Sequence, residues 1–324
     1  MRELRAYKKL AALFLCIVLA LAFVTGCANQ NNSSATSNTS TNQQTNTATQ
    51  PADDVVKTAA MNYFANLPDG NNAIKAPDFF AKIDSGEDMV VLDIRQATDY
   101  QAGHIKGAVN VPYGTAVANS LELIPSGKPV YVYCYTGQTA AQTMVLLNIA
   151  GKQAKTVQGG FNNGIFKTDG YEKYITTEAA PALTGSYPVD TTIKAAIVKY
   201  YDDVVAKAGT DFQYNNISPA NVKKIIDDSN KDYFILSVRQ AADYQKGHLP
   251  TAVNIPFGKG MQENFSQLPK DKKIICYCYT GQTGSQTMAV LRLLGYDAYN
   301  MSGGMGTADP KTGWLGEGYP TVTD

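Results

Sequence analysis

Two cysteines stand at equivalent points of a repeated pattern. Cys134 directly follows the apolar run Val130–Tyr133, and Cys278, which lies 144 residues later (278 − 134), follows a similar run. Each cysteine begins the same six letters, CYTGQT. We interpret each string as a strand–loop–helix junction, where backbone N–H groups and the positive end of a helix dipole favour an anionic thiolate. The pattern predicts two nucleophilic cysteines, Cys134 and Cys278.

The other residues of the two strings would surround a bound anion. Gly137 and Gly281 allow the loops to curl so that several amides converge on one point. We expect both loops to bind substrate through the residues Tyr135, Thr136, Gly137, Gln138, Thr139, Tyr279, Thr280, Gly281, Gln282 and Thr283. Two alternatives stay open: the cysteines could be inert core residues, or they could form a disulfide if the two loops docked.

The repeat extends well beyond the cysteine strings. The segment VLDIRQATDYQAGHIKGAVNVPYG begins at Val91, and ILSVRQAADYQKGHLPTAVNIPFG begins at Ile235, again 144 residues later. The spacing is kept without a gap as far as Gly160 and Gly304. Upstream of both segments, apolar and aromatic residues recur at helical spacing, which predicts an amphipathic helix at the start of each copy. The repeat therefore predicts two domains of one type.

Strands and helices alternate within each copy. Met89–Ile94 and Val130–Tyr133 are short apolar segments typical of buried strands, and Thr139–Ala150 is a predicted helix ended by Gly151. Alternation of this kind indicates a parallel sheet. We predict an α/β fold with two domains, each a central parallel sheet flanked by helices.

The N-terminus resembles the export signal of bacterial lipoproteins. Four basic residues precede the apolar run Leu10–Val24, which is too short to span a bilayer, and the run ends at the letters VTGC. The resemblance implies cleavage before Cys27 and attachment of lipid, such as palmitate, to Cys27. A plain signal peptide or an uncleaved anchor are the alternatives.

Composition suggests how the chain is divided. The Asn-, Ser-, Thr- and Gln-rich stretch after Cys27 cannot bury a core, so we expect a flexible tether. The predicted parts are a signal peptide (1–26), the tether (27–52), a first domain (53–178, core 74–176), a linker (179–189) and a second domain (190–324, core 217–323). The protein would be exported and lipid-anchored to the bacterial cell membrane, with its domains outside the cytoplasm.

Charge and histidine content argue against several other functions. Lys+Arg and Asp+Glu are both 28, whereas nucleic-acid binding usually needs a basic excess. The two histidines, His104 and His248, hold equivalent places in the repeat, so we expect a structural role, with proton transfer as the alternative. We expect no metal site and no cofactor.

Several motifs together resemble the rhodanese family: DIRQATDYQAGHIKGAVNVP, YVYCYTGQTA and VQGG, each with a counterpart in the second copy. The resemblance implies that a cysteine thiolate takes the outer sulfur of a donor such as thiosulfate, holds it as a persulfide and passes it to a thiol or cyanide. The family's phosphatase and arsenate-reductase relatives have a longer loop ending in Arg. Six-residue loops without Arg or Lys therefore favour sulfur chemistry.

Residues outside the loops also match the family. Asp93 and Arg95 match its Asp-x-Arg strand end, which predicts an ion pair that supports the loop; a substrate-facing role for Arg95 and Arg239 is the alternative. Ser237 replaces the aspartate in the second copy, so the first copy is the safer catalyst. Cys276 is interpreted as a core residue or, alternatively, as a resolving thiol for Cys278.

These observations lead to one main function and two rivals. We predict a sulfurtransferase whose partners are a small sulfur compound such as thiosulfate or a persulfide, the membrane through the lipid anchor, and a sulfur-acceptor protein of unknown identity. The first rival is a carrier that holds sulfur or a related chalcogen without turnover. The second is a scaffold that only mediates contacts, which two intact cysteine loops argue against.

Overall fold

The computed structural model describes residues 52–323. The predicted signal peptide and Cys27, together with nearly all of the tether, lie outside these described residues. No helix within 52–323 is long and apolar enough to cross a bilayer. The helices are α1 (Ala52–Ala65), α2 (Ala76–Asp84), α3 (Ala97–Ala102), α4 (Thr115–Ser120), α5 (Gln138–Ile149), α6 (Thr191–Ala206), α7 (Pro219–Asp227), α8 (Ala241–Lys246), α9 (Gln282–Leu293) and α10 (Gly313–Gly316). The strands are β1 (Ala73–Ile74), β2 (Val90–Asp93), β3 (His104–Ile105), β4 (Ala108–Asn110), β5 (Pro129–Tyr133), β6 (Gln153–Val157), β7 (Ile175–Thr176), β8 (Asn216–Ile217), β9 (Tyr233–Ser237), β10 (Val253–Asn254), β11 (Lys273–Tyr277) and β12 (Ala298–Met301).

Each copy folds around a five-stranded parallel sheet. The strand orders are β1-β6-β5-β2-β4 in the first copy and β8-β12-β11-β9-β10 in the second, so the two sheets have one topology. The central pairs are in equivalent register, with Leu92 beside Val132 and Leu236 beside Cys276. Because both faces of each sheet are covered, these short strands are apolar without alternation. The predicted α/β fold class is confirmed.

The predicted elements around the first cysteine form with small shifts of their ends. The predicted strand Val130–Tyr133 is part of β5, and the helix predicted at Thr139–Ala150 is α5, which begins and ends one residue earlier. Gly137 precedes α5 with a φ of 84°, a conformation that glycine adopts without strain. A sharp turn therefore follows the strand, and the cysteine lies between the end of β5 and the start of α5.

The two copies pack together through α5 and α9. Both helices are buried over most of their circumference, because one side covers the sheet of their own copy and another side contacts the opposite helix. Met144 and Met288 occupy equivalent positions in this contact and are fully buried. The contact places the beginnings of both helices, and the cysteines before them, in the interior of one apolar core.

The first helix of each copy packs on the other copy. In α1, the Phe64 ring lies edge-on to Phe257 and Phe265 of the second copy, with ring centres 5.5 and 5.8 Å apart. In α6, Tyr201 lies edge-on to Tyr113 of the first copy, with ring centres 5.5 Å apart. The amphipathic helices predicted from the sequence are present, and their apolar faces pack against the neighbouring copy, while α1 also contacts α5 of its own copy.

We predict that Phe64→Ala destabilises the second copy, although Phe64 belongs to the first. Phe64 is fully buried, and removing a buried phenyl ring costs about 3–5 kcal/mol of unfolding free energy. Denaturant unfolding of the whole chain, followed by the fluorescence of Trp314, would measure the loss, because this single tryptophan is buried in the second copy. Val205→Ala is the control, since Val205 on α6 is 53% exposed. An unchanged Trp314 transition in Phe64→Ala would contradict the exchanged packing.

Candidate active site

The Cys134 thiol lies at the start of helix α5 and receives backbone hydrogen bonds. The N–H groups of Gly137 and Ala140 donate to its Sγ, at 3.1 and 3.3 Å. The residue is 2% exposed. Backbone donors at a helix N-terminus interact favourably with negative charge on sulfur. The predicted cysteine loop therefore directs two backbone N–H groups at the Cys134 sulfur.

Cys278 occupies the same place at the end of β11. The Gly281 N–H donates to its Sγ at 3.1 Å, and among the described residues this is the one backbone donor to that sulfur. Gly284 stands where the first copy has Ala140, and the Asn300 side chain fills the space beside it. The two sulfurs thus share a fold position but differ in the number of N–H groups that hold them.

Two consecutive glycines pack against the backbone of each cysteine loop: Gly159 and Gly160 in the first copy, and Gly303 and Gly304 in the second. We call each of these two a glycine pair. The Phe161 N–H donates to the Cys134 carbonyl at 2.7 Å, and the Asn162 N–H donates to the Tyr135 carbonyl at 2.8 Å. These donors can reach the loop because Gly160 leaves room: a Cβ there would lie 2.5 Å from the Cys134 oxygen. Gly304 makes the equivalent approach to Cys278. Neither glycine was predicted as a site residue, although the recurrence of Gly-Gly at the repeat spacing was a usable signal.

The tyrosine of each loop anchors it to a neighbouring helix. The Tyr135 hydroxyl accepts from the Gln96 N–H at 3.1 Å and donates to the Asp99 carboxylate. Burial, and then the hydrogen bond to Asp99, raise the pKa of Tyr135, so the hydroxyl stays protonated and keeps donating. Tyr279 repeats the arrangement with Asp243, at 2.6 Å. The tyrosines predicted to bind substrate thus have their hydroxyls engaged in positioning the loops.

In each loop one threonine accepts a hydrogen bond from the loop glutamine, and the other threonine lies in the helix that follows. Thr136 Oγ1 accepts from the Gln138 amide at 3.1 Å, and Thr280 Oγ1 accepts from the Gln282 amide at 3.4 Å. Each of these bonds ties a loop to the first residue of the helix that follows it. Thr139 and Thr283 are half-buried in the first turns of α5 and α9.

Asp93 and Arg95 form a buried ion pair in the first copy. Arg95 Nη2 lies 2.6 Å from Asp93 Oδ2, and its Nε lies 3.1 Å from both carboxylate oxygens. The guanidinium also lies 3.8 Å from the centre of the Phe161 ring, directly after the glycine pair. The pair thus supports the segment that closes the Cys134 loop.

The second copy keeps the arginine but not the carboxylate. Arg239 donates to two backbone carbonyls, those of Gly247 and Asp243, at 2.6 and 2.9 Å, and its Nε has no hydrogen-bond partner within residues 52–323. Ser237 stands in place of the aspartate. Met305 replaces the phenylalanine, and the Arg239 guanidinium lies instead 5.3 Å from the centre of the Tyr279 ring, in the Cys278 loop. Arg239 therefore contacts its loop directly but without the ion pair that Arg95 makes.

The histidines His104 and His248 are buried and bonded within the fold. The His104 ring stacks on Tyr100 with centres 3.6 Å apart, and its ring nitrogens lie 2.7 and 3.0 Å from the Tyr100 and Glu178 carbonyl oxygens. His248 stacks on Tyr244 in the same way.

Burial raises the pKa of Cys276 far above its ordinary value, which keeps that thiol protonated within β11. No cluster of three or more metal-ligating side chains occurs in residues 52–323.

Comparison with known proteins agrees with the repeat. Residues 76–165 and 218–307 match the profile of the Rhodanese-like domain family. A putative thiosulfate sulfurtransferase of Mycobacterium bovis is 24% identical over 250 residues, which cover 67% of this chain and 75% of the relative. A putative sulfur carrier protein of Bacillus subtilis is 35% identical over 69 residues, covering 20% and 37%. The crystal structure of a Pseudomonas aeruginosa thiosulfate sulfurtransferase aligns with a TM-score of 0.30 and 20% identity, covering 78% of this chain and 46% of that one.

We expect Gly160→Ala to lower the reactivity of Cys134. Its Cβ would displace the loop backbone and with it the N–H groups that face the sulfur, each contributing ~1.5 kcal/mol, so alkylation by iodoacetamide should slow about tenfold or more. Peptide mass spectrometry would follow Cys134 and Cys278 separately in one sample. Gly127→Ala is the control, because a Cβ at Gly127 meets nothing within 4 Å. Unchanged Cys134 alkylation in Gly160→Ala would show that the glycine pair does not position the loop.

Exchanging the aspartate and the serine between the copies should change stability in opposite directions. Asp93→Ser leaves the buried Arg95 without a counter-ion and should cost about 3 kcal/mol of unfolding free energy. Ser237→Asp supplies a carboxylate to Arg239 and should raise that free energy by about 1.5 kcal/mol. Denaturant unfolding of both variants would measure the changes. A loss of stability in Ser237→Asp would mean that Arg239 has no need of a counter-ion.

Proposed function

The chain belongs to the rhodanese family through two tandem rhodanese-like domains that match 180 of its 324 residues, and we propose that it is a sulfurtransferase. It would move sulfane sulfur from a donor such as thiosulfate to a thiophilic acceptor. Cys134 and Cys278 would be the nucleophiles. The observation that carries the proposal is the Cys134 sulfur itself, which receives two backbone N–H groups at the start of a 12-residue helix.

The reaction divides into two sulfur transfers. In the first, the Cys134 thiolate attacks the outer sulfur of thiosulfate; an S–S bond forms at cysteine, the S–S bond of thiosulfate breaks, and sulfite leaves with its electron pair. In the second, an acceptor such as cyanide attacks the terminal sulfur of the persulfide, forms thiocyanate and returns the thiolate. The loop faces one negative charge before and after each step, on Sγ in the thiolate and on the outer sulfur in the persulfide, so backbone N–H groups there face an anion throughout.

Backbone amides would also bind the donor. The two loops contain no Lys or Arg, so a thiosulfate dianion would be held by N–H groups and by the helix N-terminus rather than by a cation. Binding through backbone N–H groups suits a small anion that needs few contacts with side chains. The relatives named thiosulfate sulfurtransferases support the same donor class.

We also propose that the protein works at a membrane surface. The support is the sequence before the described residues: a basic start, an apolar run and the letters VTGC that end at Cys27. Lipid on Cys27 would anchor the mature chain, and residues 28–51 would separate the domains from the bilayer. Metabolic labelling with palmitate, compared between the wild type and Cys27→Ser, tests the anchor. Equal labelling of both proteins would reject it.

A carrier that holds sulfur without turnover is the second candidate. Burial favours it, because Cys134 and Cys278 are only 2% and 1% exposed, and a persulfide formed there would be shielded from bulk solvent. A Bacillus subtilis relative is named a putative sulfur carrier protein. A carrier and an enzyme would both take sulfur from the donor. Only an enzyme would also pass it to an acceptor in repeated cycles.

The experiment is intact-mass analysis of the mature protein, before and after thiosulfate and then after cyanide. The wild type should gain two sulfur atoms, and Cys134→Ser and Cys278→Ser should each gain one and release it to cyanide in repeated cycles. Because Cys134 has one more N–H donor, worth ~1.5 kcal/mol to an anionic sulfur, the variant that retains Cys134 should turn over about tenfold faster.

Cys276→Ser is the matched control, since Cys276 is fully buried and should load no sulfur. Loading without repeated release would favour the carrier. Failure of every variant to gain sulfur, from thiosulfate and from polysulfide alike, would reject sulfur transfer.

A further inference from the structure

The first residues of α5 and α9 reach across to the opposite copy. Each helix begins with the glutamine of its cysteine loop, Gln138 or Gln282. Because the two helices pack against each other, each glutamine faces the loop that holds the other cysteine. Its side-chain amide nitrogen donates to a threonine of its own loop, which leaves the oxygen directed at the neighbouring copy.

Gln138 contacts the segment that closes the Cys278 loop. Its Oε1 accepts from the Gly303 N–H at 3.2 Å and from the Asn300 amide at 3.1 Å. Gly303 is the first glycine of the pair that abuts the Cys278 carbonyl. The same oxygen fills the space above Gly281, where a Cβ would lie 2.3 Å from it. Gln138 therefore touches both sides of a loop that belongs to the other domain.

Gln282 makes the reciprocal contacts with the Cys134 loop. Its Oε1 accepts from the Gly159 N–H at 3.4 Å, and a Cβ at Gly137 would lie 2.7 Å from it. Thr156 stands where the second copy has Asn300. Thr156 Oγ1 has no hydrogen-bond partner among the described residues, so this side of the pair has one hydrogen bond fewer. The Cys278 loop is thus held from across the domain boundary more firmly than the Cys134 loop.

A second pair of glutamines, one turn further along each helix, fixes this geometry. Gln142 Oε1 accepts from the Tyr200 hydroxyl at 2.7 Å, and its amide donates to the Tyr214 carbonyl at 3.1 Å. Gln286 accepts from the Tyr63 hydroxyl at 2.8 Å and donates to the Asn71 carbonyl at 3.2 Å. These four partners belong to the copy opposite each glutamine. These bonds tie each helix to the opposite copy one turn beyond the glutamine that reaches the opposite loop.

We propose that each loop glutamine is a positioning residue for the cysteine of the other domain: Gln138 for Cys278, and Gln282 for Cys134. Each glutamine oxygen packs against the glycine whose N–H faces the opposite sulfur, and it accepts a hydrogen bond from the first glycine of the pair behind that loop. Neither domain then contains a complete site. The effect on persulfide formation rests on the proposed sulfur transfer, whereas the effect on thiol reactivity does not.

The test measures both cysteines in every variant of the full mature chain. Iodoacetamide alkylation, followed by peptide mass spectrometry, gives separate rates for Cys134 and Cys278; thiosulfate loading is measured in parallel. Gln138→Ala should slow Cys278 by about three- to tenfold, the effect of one or two hydrogen bonds, and change Cys134 less. Gln282→Ala should slow Cys134 more than Cys278.

Conservative variants separate positioning from general damage to the fold. Gln138→Glu keeps an oxygen that can accept from Gly303 and Asn300, so it should restore the Cys278 rate. Asn300→Thr gives the second copy the residue of the first and should slow Cys278 by about threefold, since it removes one hydrogen bond. Gln153→Ala is the control, because Gln153 is exposed on β6.

The outcomes decide between the proposals. A Gln138→Ala variant that slows only Cys134, or slows both cysteines equally, would overturn the positioning role, as would a Cys278 rate that Gln138→Glu does not restore. Crossed effects on alkylation without any sulfur loading would keep the positioning role and reject the proposed function.

Discussion

Helix α5 lies against helix α9, and most of what is distinctive in this molecule depends on that contact. The helix that follows a nucleophilic cysteine ordinarily needs only to cover its own sheet. Here each such helix is buried on further sides, with Met144 and Met288 fully buried and with Gln142 and Gln286 bonded to the opposite copy. The buried glutamines are tolerated because their polar atoms find partners in the opposite copy. A polar contact of this kind specifies one register, since a slip by one turn would leave several buried groups unpaired.

Sequence identity between the loops does not make the two sites equal. The letters CYTGQT are the same in both, yet the Cys134 sulfur receives two N–H groups and the Cys278 sulfur receives one. The extra donor is the Ala140 N–H, where the second copy has Gly284, and the surroundings of the loops also differ in Asp93 against Ser237. The Cys278 sulfur has fewer N–H donors in its own copy than the Cys134 sulfur. Across the domain boundary, Gln138 makes more hydrogen bonds beside the Cys278 loop than Gln282 makes beside the Cys134 loop. The two copies have diverged in how each loop is held, while the nucleophile has stayed the same.

The sequence allows the sheets and the cysteine loops to be predicted because their signals are local. An apolar run such as Val130–Tyr133, followed by a glycine and an apolar helix, specifies its own conformation. The exchange of α1 and α6 was not predicted, since an amphipathic face shows that a helix is buried but not against what. Gln138 was assigned to its own loop for the same reason, because residue type does not show where a side chain points. Its repetition four residues later as Gln142 was the available sign of a polar helix face.

The exchanged first helices also bear on how such a molecule is assembled. The first helix of each half packs against the other half, with Phe64 in α1 and Tyr201 in α6 at equivalent positions. Reciprocal packing of this kind resembles that of a domain-swapped dimer joined into one polypeptide. A cut within the linker would leave the Phe64 contacts with Phe257 and Phe265, and the Tyr201 contact with Tyr113, as contacts between two separate fragments. The continuous chain ensures that the two unequal halves are always made in equal amounts.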